Sequence, residues 1–225
     1  MMTTGIIIQT SMFSQGLPGH ALDALGDKPL LGYLLERLER LEAPVKKIVA
    51  STPSAEDNII EDYCEHVDVE CFRPSAANVL ERYYLCAIEY CFSDIVRLSA
   101  SNPFSDIDEL ERLIELHRSS GADYTHSLGA LPMGAGAEVF TFEALRRSYK
   151  KASKRVHFDD VNGYIRDKAS LFKVSMLDVP EAKMSPELRL TVDTEEDLRR
   201  ARFIMEHSGG TVTTERAIEV CSRFA

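Results

Sequence analysis

The sequence predicts an α/β fold, with a doubly wound, mostly parallel central sheet between two layers of helices. Three observations carry this. Short β-branched apolar runs alternate with longer segments whose apolar residues recur at helical spacing. The first run, Gly5-Ile6-Ile7-Ile8-Gln9, has no polar side and suits a strand covered on both faces. Two of the runs end in polar loops rich in small residues, 10–20 and 99–106, where an open parallel sheet binds its ligands.

The elements follow in order. After the first loop Pro29 can open a helix at its first turn, and Leu30, Leu31, Leu34, Leu35, Leu38 and Leu41 line one side of it. Residues 45–51 read as a strand. Ser54 starts a helix running to about His66, and 67–72 reads as a third strand. A helical period spans 75–91, with Val79, Leu80, Tyr83, Tyr84, Ala87 and Ile88 apolar. The run Ile95-Val96-Arg97-Leu98 within 93–101 is another buried strand. A helix follows over 106–119, with acidic residues at its start, where the helix dipole favours them, and Gly121 past its end.

Residues 123–128 and 138–142 read as strands flanking a Gly/Ala/Pro-rich loop over 129–137. A basic helix covers 143–154, a short helix 159–167 and a strand 171–178. The run Leu-Arg-Leu-Thr-Val-Asp at 188–193 reads as a last strand. Thr194 then caps a helix to about His207, with Asp197 close to a capping box, and a terminal helix covers 213–224. The cations between Arg146 and Arg155 form the one dense positive patch. They suit either a solvated helix end or an anion site.

Composition narrows the function. The 225 residues, 44% of them hydrophobic, supply one core, so residues 1–225 are expected to form one domain. A net charge of −10 argues against nucleic acid as a partner, because binding a polyanion needs a basic face. The five cysteines show no metal or disulfide spacing and suit a reducing compartment. No run approaches the roughly 20 apolar residues of a membrane span, and the expectation is a cytoplasmic protein with no membrane partner. Dinucleotide, P-loop, Gly-x-Ser-x-Gly and zinc-ligand motifs are all missing from the sequence.

The order of the remaining motifs is informative. Residues 7–19, Asp27-Lys28-Pro29-Leu30-Leu31, Phe72-Arg73, Asn78 to Tyr84, Ile95 to Leu98 with Pro103 and Asp106, Ala137 to Leu145, and Leu188 to Asp197 together span nearly the whole chain. In this order they closely resemble the cytidylyltransferases that activate acidic sugars. The nearest branch is that of spore-coat polysaccharide biosynthesis protein F, related to the acylneuraminate and 3-deoxy-manno-octulosonate enzymes. The resemblance implies a Rossmann-like nucleotide-diphospho-sugar transferase fold, a CTP site in the cleft, an acidic sugar as second substrate, Mg²⁺ and a homodimer. Segment 129–165 is the expected substrate and dimerisation subregion.

Carried over by resemblance, Gln9, Ser14, Arg73, Arg82 and Ser101 would bind nucleotide, and Arg97, Glu138 and Arg189 would bind substrate. Asp193 would be the catalytic residue and metal ligand, helped by Glu195 or Asp197; its plainer reading is a role in capping the next helix. Arg97 and Arg189 sit in strand patterns and could equally be paired structurally.

The departures from the pattern are as telling. The family's first loop reads A-R-x-G-S-x-R-L-P-G-K, whereas this chain places Ser11, Phe13, Ser14, Gly16 and His20 at the arginine, glycine, serine, arginine and lysine. Each lost charge-assisted contact is worth roughly 1.5–3 kcal/mol. The second loop of the branch reads Thr-Gly-Asp-x-Pro, and Ser101 replaces its aspartate. Gly136 stands where the branch has a substrate-side aspartate, and Phe158 to Tyr164 departs from its Arg-Glu-His-Val-Thr-Pro-Tyr. His20, His126 and His157 are possible new polar groups, although a lone histidine is more often a packed one. Two readings follow: a CMP-sugar synthetase, or a catalytically lapsed relative that keeps the cleft for binding or regulation.

Overall fold

The three consecutive isoleucines of the first strand divide the molecule. Ile6 and Ile8 face one layer and Ile7 the other, and all three are wholly buried. This is what a strand's two-residue period does when both faces are covered. The computed structural model describes residues 3–13 and 17–224.

Among them, β1 (Thr4–Gln9), β4 (Val45–Ala50), β5 (Glu70–Phe72), β6 (Asp94–Ser99), β7 (Tyr124–His126), β8 (Glu138–Thr141) and β9 (Val174–Met176) form a seven-stranded sheet in the order β5-β4-β1-β6-β8-β7-β9. β8 alone runs against the others. The short strands β2 (Ala24–Leu25) and β3 (Lys28–Pro29) make a separate hairpin. No helix among the described residues is long and apolar enough to cross a membrane.

Helices α1 (Leu30–Leu38), α4 (Ile107–Ser120), α8 (Glu195–Ser208) and α9 (Thr214–Cys221) pack against the Ile6 and Ile8 face. On the other face lie α3 (Val79–Glu89), α5 (Phe142–Lys151) and α7 (Gly163–Asp167), with Tyr83, Phe140 and Leu145 in their core. Helix α2 (Asn58–His66) flanks the β5 edge and sends Ile60 and Cys64 into the first core. The fold is the three-layer α/β/α arrangement that the alternation predicts.

The strand predicted over 188–193 does not form. Its backbone bonds to two loops instead: Leu190 N and Thr191 N donate to Met133 O at 2.7 and 3.0 Å, and Val192 N donates to Ser101 O at 2.8 Å. Leu190 and Val192 still reach the core, which explains the strand-like pattern. Of the short helix predicted over 159–167 only α7 forms, and a separate helix, α6 (Arg155–Asp159), precedes it. Residues Val67 and Asp68 form a turn rather than the start of β5, with Asp68 at φ 56°. Helix α3 begins only after Asn78, whose side chain accepts from Glu81 N. All five thiols are free, and Cys91 is exposed rather than packed.

The close approach of residues 133–134 to 189–191 needs a glycine. Gly134 has φ 95°, and a Cβ there would lie 2.5 Å from Thr191 N. Gly134→Ala is expected to destabilise the protein by about 1–3 kcal/mol. Urea unfolding of the variant checks this.

Candidate functional site

The chain runs β1, β4, β5 outward in one direction and returns to place β6 on the other side of β1. Ligands of open α/β sheets bind at this reversal, outside the carboxyl ends of the strands. Gln9 and Ser99 are register partners at the ends of β1 and β6. Two adjoining cavities open there and share Ser99 and Ser101. The larger, about 520 Å³, is bordered by Gln9, Thr10, Phe13, His20, Val79 and Arg155. The smaller, about 290 Å³, is bordered by Arg97, Met133, Gly136, Glu138, Thr191 and Asp193.

The first loop is held by a carboxylate 45 residues further on. Asp57 is wholly buried, and its Oδ1 accepts from Met12 N at 2.8 Å. Its Oδ2 accepts from Ser51 Oγ, Thr52 N and Thr52 Oγ1 at 2.6, 2.9 and 2.6 Å. Burial pushes the Asp57 pKa up, but the hydrogen bonds from Ser51, Thr52 and the two backbone amides outweigh it and hold it below the ordinary value. Sequence reading treats Asp57 only as part of a helix start. Its role is set by strand order, which no local pattern encodes. Phe13, at the family's glycine position, borders the larger cavity with 68% of its surface exposed. Ser14 lies outside the described residues.

At the floor, Gln9 Oε1 and Thr10 Oγ1 are buried acceptors with no partner among the described residues. Native structures rarely leave such groups unmet. The Arg82 guanidinium makes no hydrogen bond or ion pair with any described residue; the residue is only 8% exposed, lies one turn beyond Val79 and borders neither cavity. Arg73 is placed elsewhere. Its guanidinium is used up by Thr52 O and Ser54 O at 2.8 and 2.7 Å, by Asn58 and by Glu61, and it borders neither cavity. Of the basic run 146–155, Arg155 alone borders the larger cavity; Arg146 pairs with Glu143, Arg147 reaches Leu171 O, and Lys154 pairs with Asp167.

In the smaller cavity Arg97 and Glu138 sit opposite each other in the β6–β8 register, bonded at 2.6 Å. Glu138 is 1% exposed, accepts a hydrogen bond from Tyr124 Oη and lies 3.7 Å from Arg166. Burial raises its pKa, but Arg97, Tyr124 and Arg166 together bring it below the ordinary value. Asp160 pairs with Arg166 and lies 3.9 Å from Arg97. His126 packs beside Tyr124, and burial lowers its pKa. His157 is buried against Tyr164 and Asp167, away from both cavities.

Arg189 Nη2 is 3.1 Å from Asp193 Oδ2 and 3.3 Å from Asp197 Oδ2. Asp197 is buried and fully occupied by Arg189, Arg200, Thr194 and Asp193 N. Despite burial, these bonds hold its pKa at about 2. It is a structural carboxylate, so the expected help to Asp193 as a ligand does not come from it. Asp193 itself keeps 47% of its side chain exposed, with Oδ2 bonded to Arg189 and Thr191 and Oδ1 bonded to none of the described residues. Among the described residues no cluster of three or more His, Cys, Asp or Glu could hold a metal alone. The donor set fits a hard cation that brings phosphate and water ligands with it, as Mg²⁺ commonly does.

Residues 5–214 match the model of a family described as cytidylyltransferase. An uncharacterized protein of Methanocaldococcus jannaschii is 34% identical over 201 residues, which cover 89% of this chain and 82% of that one. Spore coat polysaccharide biosynthesis protein SpsF of Bacillus subtilis is 33% identical over 208 residues, covering 90% and 86%. The structure of a cytidylyltransferase from Leptospira borgpetersenii superposes with a TM-score of 0.89 at 25% identity, over 99% of this chain and 95% of that one.

Two outcomes follow from this geometry. Asp57→Ala removes every one of those acceptor contacts and should cost at least about 2 kcal/mol, and free the first loop; denaturant midpoints and proteolysis of that loop check it. Glu138→Gln leaves half-buried Arg97 with only Asp160 as counter-charge and should cost about 1–3 kcal/mol at neutral pH. Because the folded pKa of Glu138 is depressed, its contribution is complete above the ordinary glutamate value of about 4.3 and is lost as pH falls below it. The stability gap between wild type and Glu138→Gln, measured by unfolding across pH, should therefore narrow only on that acid side.

Proposed function

The chain is a member of the cytidylyltransferase family, and from that premise we propose that it transfers the cytidylyl group of CTP to an acidic sugar in polysaccharide biosynthesis. One observation carries the reading. An open cavity at the sheet reversal has unmet polar groups, Gln9 Oε1 and Thr10 Oγ1, on its floor, and an adjoining cavity presents a half-exposed carboxylate, Asp193. Nucleotide occupies the larger space and sugar the smaller, with the reacting centre beside Ser99 and Ser101, which border both.

Asp193 Oδ1 and the phosphates would hold Mg²⁺, which when bound neutralises charge developing on the departing pyrophosphate. Arg155 is the cation that borders the phosphate space, and Arg97, tied to Glu138 and Asp160 together with Arg166 behind it, borders the sugar. The sugar hydroxyl attacks the α-phosphorus, and the bond to the β-phosphate oxygen breaks. Exposed Met133 and Val156 make segment 129–165 the proposed dimer contact.

A binding module that has lost catalysis is the second reading. It is favoured by a first loop, residues 10–20, in which His20 is the one titratable side chain. Calorimetric titration with CTP and Mg²⁺ decides. Wild type should bind, and a hundredfold excess over Kd should stabilise it by about 2.7 kcal/mol in thermal unfolding. Asp193→Asn should weaken Mg²⁺-dependent binding at least about tenfold, the equivalent of about 1.4 kcal/mol. No heat and no thermal shift at millimolar CTP would overturn the transferase reading.

A further inference from the structure

Two departures from the family pattern meet in space. His20 stands at the lysine position and Ser101 at the aspartate position, in different loops. Yet His20 Nε2 lies 2.6 Å from Ser101 Oγ. Nδ1 of the same ring lies 2.5 Å from Leu17 O. A carbonyl only accepts, so in the neutral ring Nδ1 carries the proton and Nε2 is the acceptor. The Ser101 hydroxyl therefore donates to Nε2. The order is hydroxyl, base and orienting acceptor, the arrangement that activates a side-chain oxygen.

The setting supports use rather than packing alone. The imidazole is 4% exposed and held in one orientation, while Ser101 is half-buried and borders both cavities. The Ser101 carbonyl is itself held by Val192 N at 2.8 Å, on the segment that carries Asp193. An exchange of lysine and aspartate for histidine and serine also changes no net charge. What reads along the chain as one lost cation and one lost carboxylate is a single replacement of a charged pair by a hydrogen-bonded histidine and serine.

The geometry points to a proton relay in which Ser101 and His20 remove the proton of the attacking sugar hydroxyl. The inference rests on the transfer reaction proposed above. The hydroxyl proton passes to Ser101 Oγ as the Ser101 proton passes to His20 Nε2. The sugar oxygen bonds to the α-phosphorus, the α–β bridging P–O bond breaks, and pyrophosphate carries away the electron pair. The imidazolium then releases its proton to solvent.

His20→Gln keeps an acceptor for Ser101 but no basic nitrogen, and Ser101→Ala removes the hydroxyl. Each should lower kcat for cytidylyl transfer about 10²-fold or more, and in His20→Gln this loss should far exceed any change in KM for CTP or in calorimetric CTP binding. The double variant should be no slower than either single one, because the two act as a unit. A wild-type kcat in His20→Gln, or a change confined to KM, overturns the relay. A second measurement needs no turnover: an aryl phosphonyl fluoride should form an adduct on Ser101 in wild type and not in His20→Gln, read by peptide mass spectrometry. No adduct on Ser101 in wild type also overturns it. Failure to bind CTP is scored separately, against the transferase reading, and the labelling then decides the dyad by itself.

Discussion

The ladder between β1 and β6 ends at the Gln9–Ser99 pair, and every candidate group in the cleft takes its position from that end. Past it both backbones must turn outward, one toward Phe13 and the other toward Ser101, and a gap opens between two strands that are paired up to their last residue. The gap is kept by packing beneath it. Ile6, Ile7 and Ile8 are wholly buried on alternate faces, so β1 cannot slip by one residue without exchanging the contents of two cores. Asp57 then ties the outgoing loop to the neighbouring β4–α2 connection. A carboxylate with no exposed surface can do this because donors from three residues meet it there.

Charge in and around the cleft is mostly compensated internally. Arg97 and Arg166 answer Glu138 and Asp160, Arg189 answers Asp193 and Asp197, and Arg73 is drawn away to Glu61. Buried charges persist only when paired, and each pair specifies a geometry more than it adds net stability. The same logic holds below the second loop, where Lys183 lies between Asp106 and Glu109 and Thr214 donates to Asp106, joining α9 to the start of α4. Two of the groups left unmet among the described residues, on Gln9 and Thr10, border the larger cavity, and Arg82 lies on the helix behind Val79. A triphosphate arriving there would find fewer fixed cations than the family pattern supplies, together with acceptors awaiting a partner.

Much of the fold was legible because its signals are local. The leucine stripe at 30–38, the apolar runs of β1, β4 and β6, the acidic start at Asp106 and the cap Thr194 depend on neighbours a few residues away. Residues 188–193 misled for a related reason: burial on alternate sides produces a strand-like pattern whether or not a ladder forms, and here the backbone bonds to two loops. In the site, Asp193, Ser101, Arg97, Glu138 and Gln9 were all marked by motif, and all border the two cavities. Arg73, Arg82 and Arg189 were marked in the same way and border neither: the nearby carbonyls of Thr52 and Ser54 claim Arg73, and Asp193 and Asp197 claim Arg189.

By itself the sequence determined the layered α/β architecture, the family and the two loops that enclose the cleft, since these rest on periodicity and on contiguous motifs. Tertiary structure alone decided what faces what: that Asp57 holds the first loop, that Asp197 is spent on structure while Asp193 stays open, and that His20 and Ser101 are bonded. The physical reason is that hydrogen bonds and ion pairs are made across strand order and loop closure. Residues tens of positions apart become partners there without leaving any mark on the local pattern of either segment.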